Sequence, residues 1–103
     1  MKDCKITVIR KASYDDLSAK YENSIEHACD LSVGQVFVTS GDRMPDGFCA
    51  AAWQSLYPYV LALATGGGDF FDGWMKDPYS AMISCSDGFR PVSFLIETVS
   101  DEK

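Results

Sequence analysis

The longest uncharged stretch of the chain covers residues 47–68, between Asp46 and Asp69. Asp46 is placed to cap the start of a helix, and the glycines from Gly66 to Gly68 are placed to end it. The apolar side chains recur at helical spacing and form one face with Phe48, Ala52, Leu56, Val60 and Leu63, and another with Cys49, Trp53, Tyr57 and Leu61. A helix that is apolar on nearly all sides is usually buried, so the sequence predicts a central core helix.

Pro58 interrupts this helix, because proline lacks a backbone N–H and its ring clashes with the preceding turn. Two interpretations stay open: one kinked helix, or a short helix followed by a second that begins near Pro58. An uncharged run of this length also meets the first criterion for a membrane span. Gln54, Ser55, Pro58 and two tyrosines dilute it and no basic flank sets an orientation, so a core helix is favoured.

The chain has 103 residues, which predicts a single domain over 1–103 with a frayed, disordered tail at about 100–103. Its formal net charge of −6 argues against binding to nucleic acid and to anionic membranes, since both need clustered Lys and Arg. The N-terminal residues lack the apolar core of a signal peptide, so a cytoplasmic location is expected. The four cysteines are then expected to be reduced thiols.

Alternating patterns predict four strands around the helix. Residues 4–10 alternate imperfectly, because Ile9 falls on the polar side, and residues 35–39 are rich in β-branched and aromatic side chains. Residues of about 80–85 and 91–98 flank Asp87-Gly88, which is typical of an antiparallel hairpin whose turn needs positive φ.

Ser13 is a candidate N-cap for a short helix over residues 15–21. The predicted fold class is therefore α+β: a four-stranded antiparallel or mixed sheet with a C-terminal β-hairpin and one central, Pro-kinked apolar helix.

Three blocks of the chain resemble a family of small, uncharacterised prokaryotic proteins of about this length. The blocks are CKITVIRK, the run MPDGFCAAAW with the following YPYVLAL and glycines, and CSDGFRPVSF, and they stand in the family's order. The chain departs from that pattern at Cys29, which has no proline beside it. The resemblance implies a one-domain fold and no mechanism, so neither a reaction nor a cofactor follows from it.

The cysteines are the candidates for chemistry. Cys49 is expected in the first turn of the central helix, where the helix N-terminus favours the reactive thiolate, and Cys85 is expected beside the hairpin turn. With His27 and Cys29 they form a possible four-ligand set for a soft metal, although the spacing lacks a Cys-x-x-Cys pair. Burial as small hydrophobic residues is the commoner role for cysteines, and His27 is more often a solvated surface residue.

Ligand binding has its own candidates. Arg90 stands at a turn beside an aromatic residue and can clamp a carboxylate through two hydrogen bonds; the alternative is an ion pair with Asp87 or with a loop acid such as Asp69 or Asp72. The loop after the glycines is expected to pack its aromatics against the helix, as part of the core or as the wall of a pocket. The candidate ligand-binding residues are Trp53, Phe70, Phe71, Trp74, Asp87 and Arg90.

Three functions remain open at this point. The first is a small cytosolic binding or accessory protein that acts as a homo-oligomer, because the helix and its aromatics have more apolar surface than a small sheet can cover. The second is a small enzyme with a thiol site at the N-terminus of the helix, and the third is a Cys/His metal-binding module. A small-molecule ligand is compatible with the first two.

Overall fold

A computed structural model of the chain describes residues 1–23 and 29–99. Two helices and four strands follow one another as β1 (Cys4–Lys11), α1 (Asp15–Tyr21), β2 (Val36–Val38), α2 (Ala50–Ala64), β3 (Ser80–Ser84) and β4 (Val92–Thr98). This confirms the predicted α+β class, with a single four-stranded sheet. The metal ligand predicted at His27 and the tail predicted at 100–103 both lie outside the described residues.

The sheet has the strand order β2-β1-β4-β3, and every neighbouring pair is antiparallel. β3 pairs with β4 from Ser80↔Glu97 to Ser84↔Ser93, which confirms the hairpin. Its turn differs from the prediction, because Gly88 does not adopt a positive φ. Residues 85–91 form a wide connection instead, in which the Asp87 carboxylate accepts the N–H groups of Phe89 and Arg90.

A β-bulge in β1 explains its imperfect alternation. The register with β4 shifts between Val8 and Arg10, so Ile9 is the extra residue and lies on the surface. Before the bulge, Cys4, Ile6 and Val8 are buried on one face of the strand, as the alternation predicts.

The core lies between one face of the sheet and α2. Side chains from β1 and β4 meet the helix there, and the buried set on these elements is Cys4, Ile6, Val8, Ala52, Leu56, Val60, Leu63, Ala64, Val92, Phe94 and Ile96. α2 packs against β1, β3 and β4, whereas α1 contacts none of the described strands closely. The domain is therefore built of two layers, a sheet and one helix.

The central helix is one continuous element with Pro58 in its interior, so the two-helix interpretation is wrong. Its predicted inward face is confirmed, since Ala52, Leu56, Val60 and Leu63 are buried. The expectation of burial on most sides is wrong, because Gln54 and Pro58 are exposed. The helix ends at Ala64 and Gly66 follows with a φ of 96°, the left-handed conformation typical of a helix C-terminus.

The start of the short helix α1 also differs in detail. The predicted range is confirmed, but Tyr14 occupies the N-cap position and no side chain caps the helix. The Ser13 hydroxyl donates instead to the Asp15 carboxylate, at 2.6 Å between the oxygens. Its role is therefore a local turn contact and not the predicted cap.

The described part of the chain holds no helix with both the length and the apolar character needed to cross a membrane.

Candidate functional site

A cavity of about 210 Å³ opens at the N-terminal end of α2, between the helix, the β3–β4 connection and residues 29–31. Most of its wall is apolar, and polar groups lie toward the β3–β4 connection. The lining residues are Cys29, Leu31, Cys49, Ala51, Ala52, Cys85, Ser86, Asp87, Arg90, Val92 and Phe94. We call this space the thiol cavity, because three of the four cysteines line it.

The three thiols come from segments that are distant in sequence. Cys49 and Cys29 are exposed, and Cys85 is half-buried. The N–H of Val92 donates to the sulfur of Cys85, with 3.3 Å between nitrogen and Sγ, and this bond fixes the orientation of the side chain. The ammonium group of Lys11 donates to the carbonyls of Cys29 and Leu31, at 3.0 and 2.7 Å, and so ties that side of the cavity to β1.

Cys4 is the thiol that the cavity excludes. It is fully buried in the core, and its sulfur donates to the carbonyl of Val60 at 3.8 Å. Burial raises the pKa of the Cys4 thiol, because the thiolate would lose its solvation, so Cys4 stays neutral. Cys4 is therefore a structural residue of the core, and it does not line the cavity with the other three cysteines.

The start of α2 differs from the prediction in a way that shapes the cavity. The helix begins at Ala50, with Cys49 rather than Asp46 at the N-cap position and no side chain capping it. The reason is the preceding Phe48, which is buried against Phe37 and Phe94 with ring centroids 4.9 and 5.5 Å apart. Because Phe48 is fixed in this aromatic cluster, the helix begins only at Ala50, and Cys49 lies at the mouth of the cavity.

Arg90 lines the cavity but already holds a carboxylate of its own chain. Its two terminal nitrogens lie 3.0 and 2.8 Å from the two carboxylate oxygens of Glu22, in a bidentate ion pair. The hydrogen bond from Arg90 keeps the pKa of Glu22 below its usual value. The ion pair given as the alternative role of Arg90 is therefore confirmed, but the partner is Glu22 and not Asp87, Asp69 or Asp72, and the pair occupies the guanidinium fork.

Of the other candidate ligand-binding residues, Asp87 lines the thiol cavity, whereas the four aromatic ones do not. Trp53 packs against Phe48 and Tyr57, and Phe70 packs against Tyr59. Phe71 and Trp74 contact each other edge to face, and their exposed fractions are 72% and 42%. Only Phe70 of this loop packs against the helix, which corrects the expectation that all three aromatics would do so.

Residues 1–23 and 29–99 contain no group of three or more His, Cys, Asp or Glu side chains arranged to hold a metal ion. The thiols of Cys29, Cys49 and Cys85 therefore face one cavity without forming a ligand set among themselves. His27, the fourth predicted ligand, lies outside the described residues.

Several cavity residues were not candidates from the sequence. The alternation of β4 does place Val92 and Phe94 on one face, so their burial was predictable, but their position under a cavity was not. Glu22 is 68 residues from Arg90 in the chain and no local pattern connects the two.

The fold and the site together define a small two-layer α+β domain with a thiol-lined cavity at one end of its helix. No protein-family model, curated protein or solved structure matches the chain. Membership of the prokaryotic family that the three sequence blocks resemble stays a prediction.

Proposed function

We propose that this protein is a cytosolic binding protein whose ligand is a small, neutral, mostly apolar molecule held in the thiol cavity. One observation carries the proposal: three thiols from separate segments line a single cavity whose other walls are mainly apolar. Ligand sites are typically concave and apolar with a few polar groups that fix orientation. The four cysteines are free thiols, which fits a reducing compartment.

The size of the cavity restricts the ligand. An apolar cavity of roughly 150 Å³ accepts benzene, so a volume of about 210 Å³ suits a molecule of roughly ten non-hydrogen atoms.

The charges around the cavity restrict the ligand further. Arg90 is neutralised by Glu22, and the Asp87 carboxylate accepts two backbone N–H groups. An anionic ligand would therefore find no unpaired cation at Arg90 and would be repelled by the Asp87 carboxylate, which keeps its negative charge, so a neutral molecule is favoured over an anion.

A cavity-filling variant tests the proposal. Ala51 lines the cavity from an exposed helix position, so Ala51→Phe should occupy its mouth with little effect on folding. Indole and similar neutral aromatic fragments are titrated while the amide resonances of Ala51 and Ala52 are followed by NMR. We expect dissociation constants of roughly 0.1–1 mM for fragments of this size.

Ala50→Phe is the matched control, because Ala50 is exposed on the same turn and does not line the cavity. Ala51→Phe should weaken fragment binding at least about tenfold, and Ala50→Phe should leave it within about twofold. Fragments that shift no cavity resonance, or that bind the Ala51→Phe variant as well as the parent, would contradict the proposal.

A thiol enzyme is the second candidate function, and the exposure of Cys49 favours it. A catalytic thiol has to be accessible to its substrate, and Cys49 lies at the mouth of the cavity beside the first turn of α2. Cys85, on the opposite wall, is the second candidate for the same role.

Alkylation by iodoacetamide as a function of pH, with Cys49→Ser as the control, tests this candidate. If Cys49 is a reactive site, its labelling at neutral pH is faster than that of free cysteine, and the fast phase disappears in the variant. Labelling no faster than free cysteine excludes the thiol enzyme at this position but leaves ligand binding in place.

A further inference from the structure

The face of the sheet opposite α2 carries a row of side chains that crosses all four strands and is apolar except for Thr7. The pairing register aligns Val36 of β2 with Thr7 of β1, Thr7 with Leu95 of β4, and Leu95 with Met82 of β3. Val36 and Met82 are 50% and 37% exposed at the two ends, and Thr7 and Leu95 are half-buried between them. We call this row the open-face stripe.

Two rows of the same face adjoin this stripe: one carries Arg10, aligned with Ser93 of β4, and the other carries a pair of opposite charges. Lys5 of β1 is aligned with Val38 on one side and with Glu97 of β4 on the other. The Lys5 ammonium and the Glu97 carboxylate are 3.7 Å apart and both remain accessible to solvent. This row is therefore electrically balanced, although the whole chain carries a formal charge of −6.

No described helix covers this face. α2 lies on the opposite side of the sheet, where Cys4, Ile6, Phe94 and Ile96 are buried, and α1 contacts none of the strands closely. An antiparallel sheet commonly keeps one face in solvent, and that face is usually polar, so a largely apolar row on it is the feature that indicates an interaction surface.

We propose that a second copy of this chain packs on the open face and forms a two-fold symmetric dimer, sheet against sheet. The argument is self-complementarity about the centre of the sheet, which lies between β1 and β4. A two-fold axis parallel to the strands at that point exchanges β1 with β4 and β2 with β3 across the interface. Each Lys5 then faces the Glu97 of the other copy, and each Val36 faces the other copy's Met82.

The area of the face sets the expected strength. With strands about 4.8 Å apart and about 3.4 Å per residue, four strands of these lengths offer a flat footprint of roughly 370 Å² per copy. Side-chain relief enlarges the accessible area beyond this footprint, but the interface stays below the roughly 800 Å² per partner of standard stable complexes and belongs with weak, transient contacts. The dimer should therefore be reversible at micromolar concentrations and not obligate.

The open face is not the surface that the sequence analysis expects to drive self-association, which is the central helix with its aromatics. The apolar face of α2 is buried under the sheet, whereas Phe71 and Trp74 of the loop after the helix stay exposed in addition to the open face. The open face is also separate from the thiol cavity, which Val92 and Phe94 line from the helix side of β4. Ligand binding and dimerisation can consequently fail independently.

Sedimentation equilibrium of the wild-type chain, up to about 500 µM, is the first measurement. Val36→Lys and Met82→Glu each place a charge against an apolar side chain of the second copy and should weaken the dimer about 100-fold. Val33→Lys is the matched control, since Val33 is exposed three residues before Val36 and outside the sheet. It should leave the dissociation constant unchanged.

Mixing the two variants tests the proposed axis. In a mixed dimer one Val36–Met82 contact is restored and the other becomes a Lys–Glu pair, so an equimolar mixture should recover dimer that neither variant forms alone. Recovery supports the proposal, because it requires these two positions to meet between copies. A mixture that remains monomeric overturns it.

A measurement without substitutions covers the case in which a variant does not fold. The ε-methyl resonance of Met82, which is 37% exposed, should shift on dilution of the wild-type chain, while that of Met44, which is 42% exposed but off the sheet, should not. A wild-type chain that is monomeric at every concentration overturns the proposal. This holds equally if the open face stays uncovered in the cell or if another protein binds it there.

Discussion

Replacing Pro58 by alanine should stabilise the domain. Pro58 lies in the interior of α2 on its solvent side, where its ring replaces the N–H that would bond to the carbonyl of Gln54. Its neighbours Leu56 and Val60 are fully buried, so the helix holds its position on the sheet in spite of the proline. The proline is therefore a local cost that the packing of the helix outweighs.

The magnitude follows from two opposing effects. Proline in a helix interior is about 3 kcal/mol less favourable than alanine. Alanine leaves the unfolded chain more flexible than proline does, which offsets about 0.4–1 kcal/mol of the gain. Pro58→Ala should accordingly raise the free energy of unfolding by about 2 kcal/mol, equivalent to a rise in Tm of about 10 °C for a domain of this size.

Urea denaturation followed by circular dichroism at 222 nm measures this change. Gln54→Ala is the control, because it alters an exposed position of the same helix without restoring a backbone hydrogen bond, and its effect should stay within about 0.5 kcal/mol. An unchanged or lower stability of Pro58→Ala would refute the reasoning. It would mean that the helix needs a bend at Pro58 to bring Leu56 and Val60 onto the sheet together.

Two further predictions concern the ion pair and the glycine run. Because Arg90 lowers the pKa of Glu22, the pair stabilises the fold at neutral pH, and this contribution disappears as the pH falls below the usual glutamate value of 4.5 and through the lowered folded one. Arg90→Ala should therefore lower the Tm at pH 7 but not at about pH 2. Arg43→Ala, which changes an exposed arginine, is the control. Equal losses of Tm for Arg90→Ala at both pH values would contradict the pairing. Gly68→Ala should destabilise by about 1–3 kcal/mol, since its Cβ would lie 2.6 Å from the carbonyl oxygen of Pro78. Gly88→Ala, whose Cβ meets no atom within 4 Å, should lower the free energy of unfolding by less than about 0.5 kcal/mol in the same urea titration. Similar losses for both glycines would show that the close approach of Gly68 to the Pro78 carbonyl does not cause the destabilisation.

The elements that depend on local pattern could be predicted from the sequence. β1 and the β3–β4 hairpin follow from alternation over a few residues, and the inward face of α2 follows from its helical period. The range of α1 follows from the two acidic residues of its first turn, although the predicted cap does not form. In each case the deciding interactions lie within one turn or one strand pair.

Boundaries and loops depended on tertiary contacts. α2 starts at Ala50 because Phe48 is fixed in an aromatic cluster with Phe37 and Phe94, and no helix-capping rule contains that information. The β3–β4 connection is wide because the Asp87 side chain organises it, so the glycine beside it needs no positive φ.

The candidate site shows the same division more sharply. Cys49 and Cys85 could be selected individually from the sequence, since each stands next to a recognisable helix start or turn. Their meeting with Cys29 in one cavity, and the pairing of Arg90 with Glu22, join segments far apart in the chain.

The packing of the strands and the helix explains why neither the shared cavity of the three thiols nor the Arg90–Glu22 pair can be predicted from a short stretch of sequence. β1 lies between β2 and β4, and α2 packs on one face of this sheet only, so the other face stays open and the cavity lies at the end of α2. The sequence by itself determined which residues favour helix, strand or burial, because those preferences are short-range. The tertiary structure alone decided which thiols share a cavity and which apolar row stays uncovered, because both depend on how distant segments pack together.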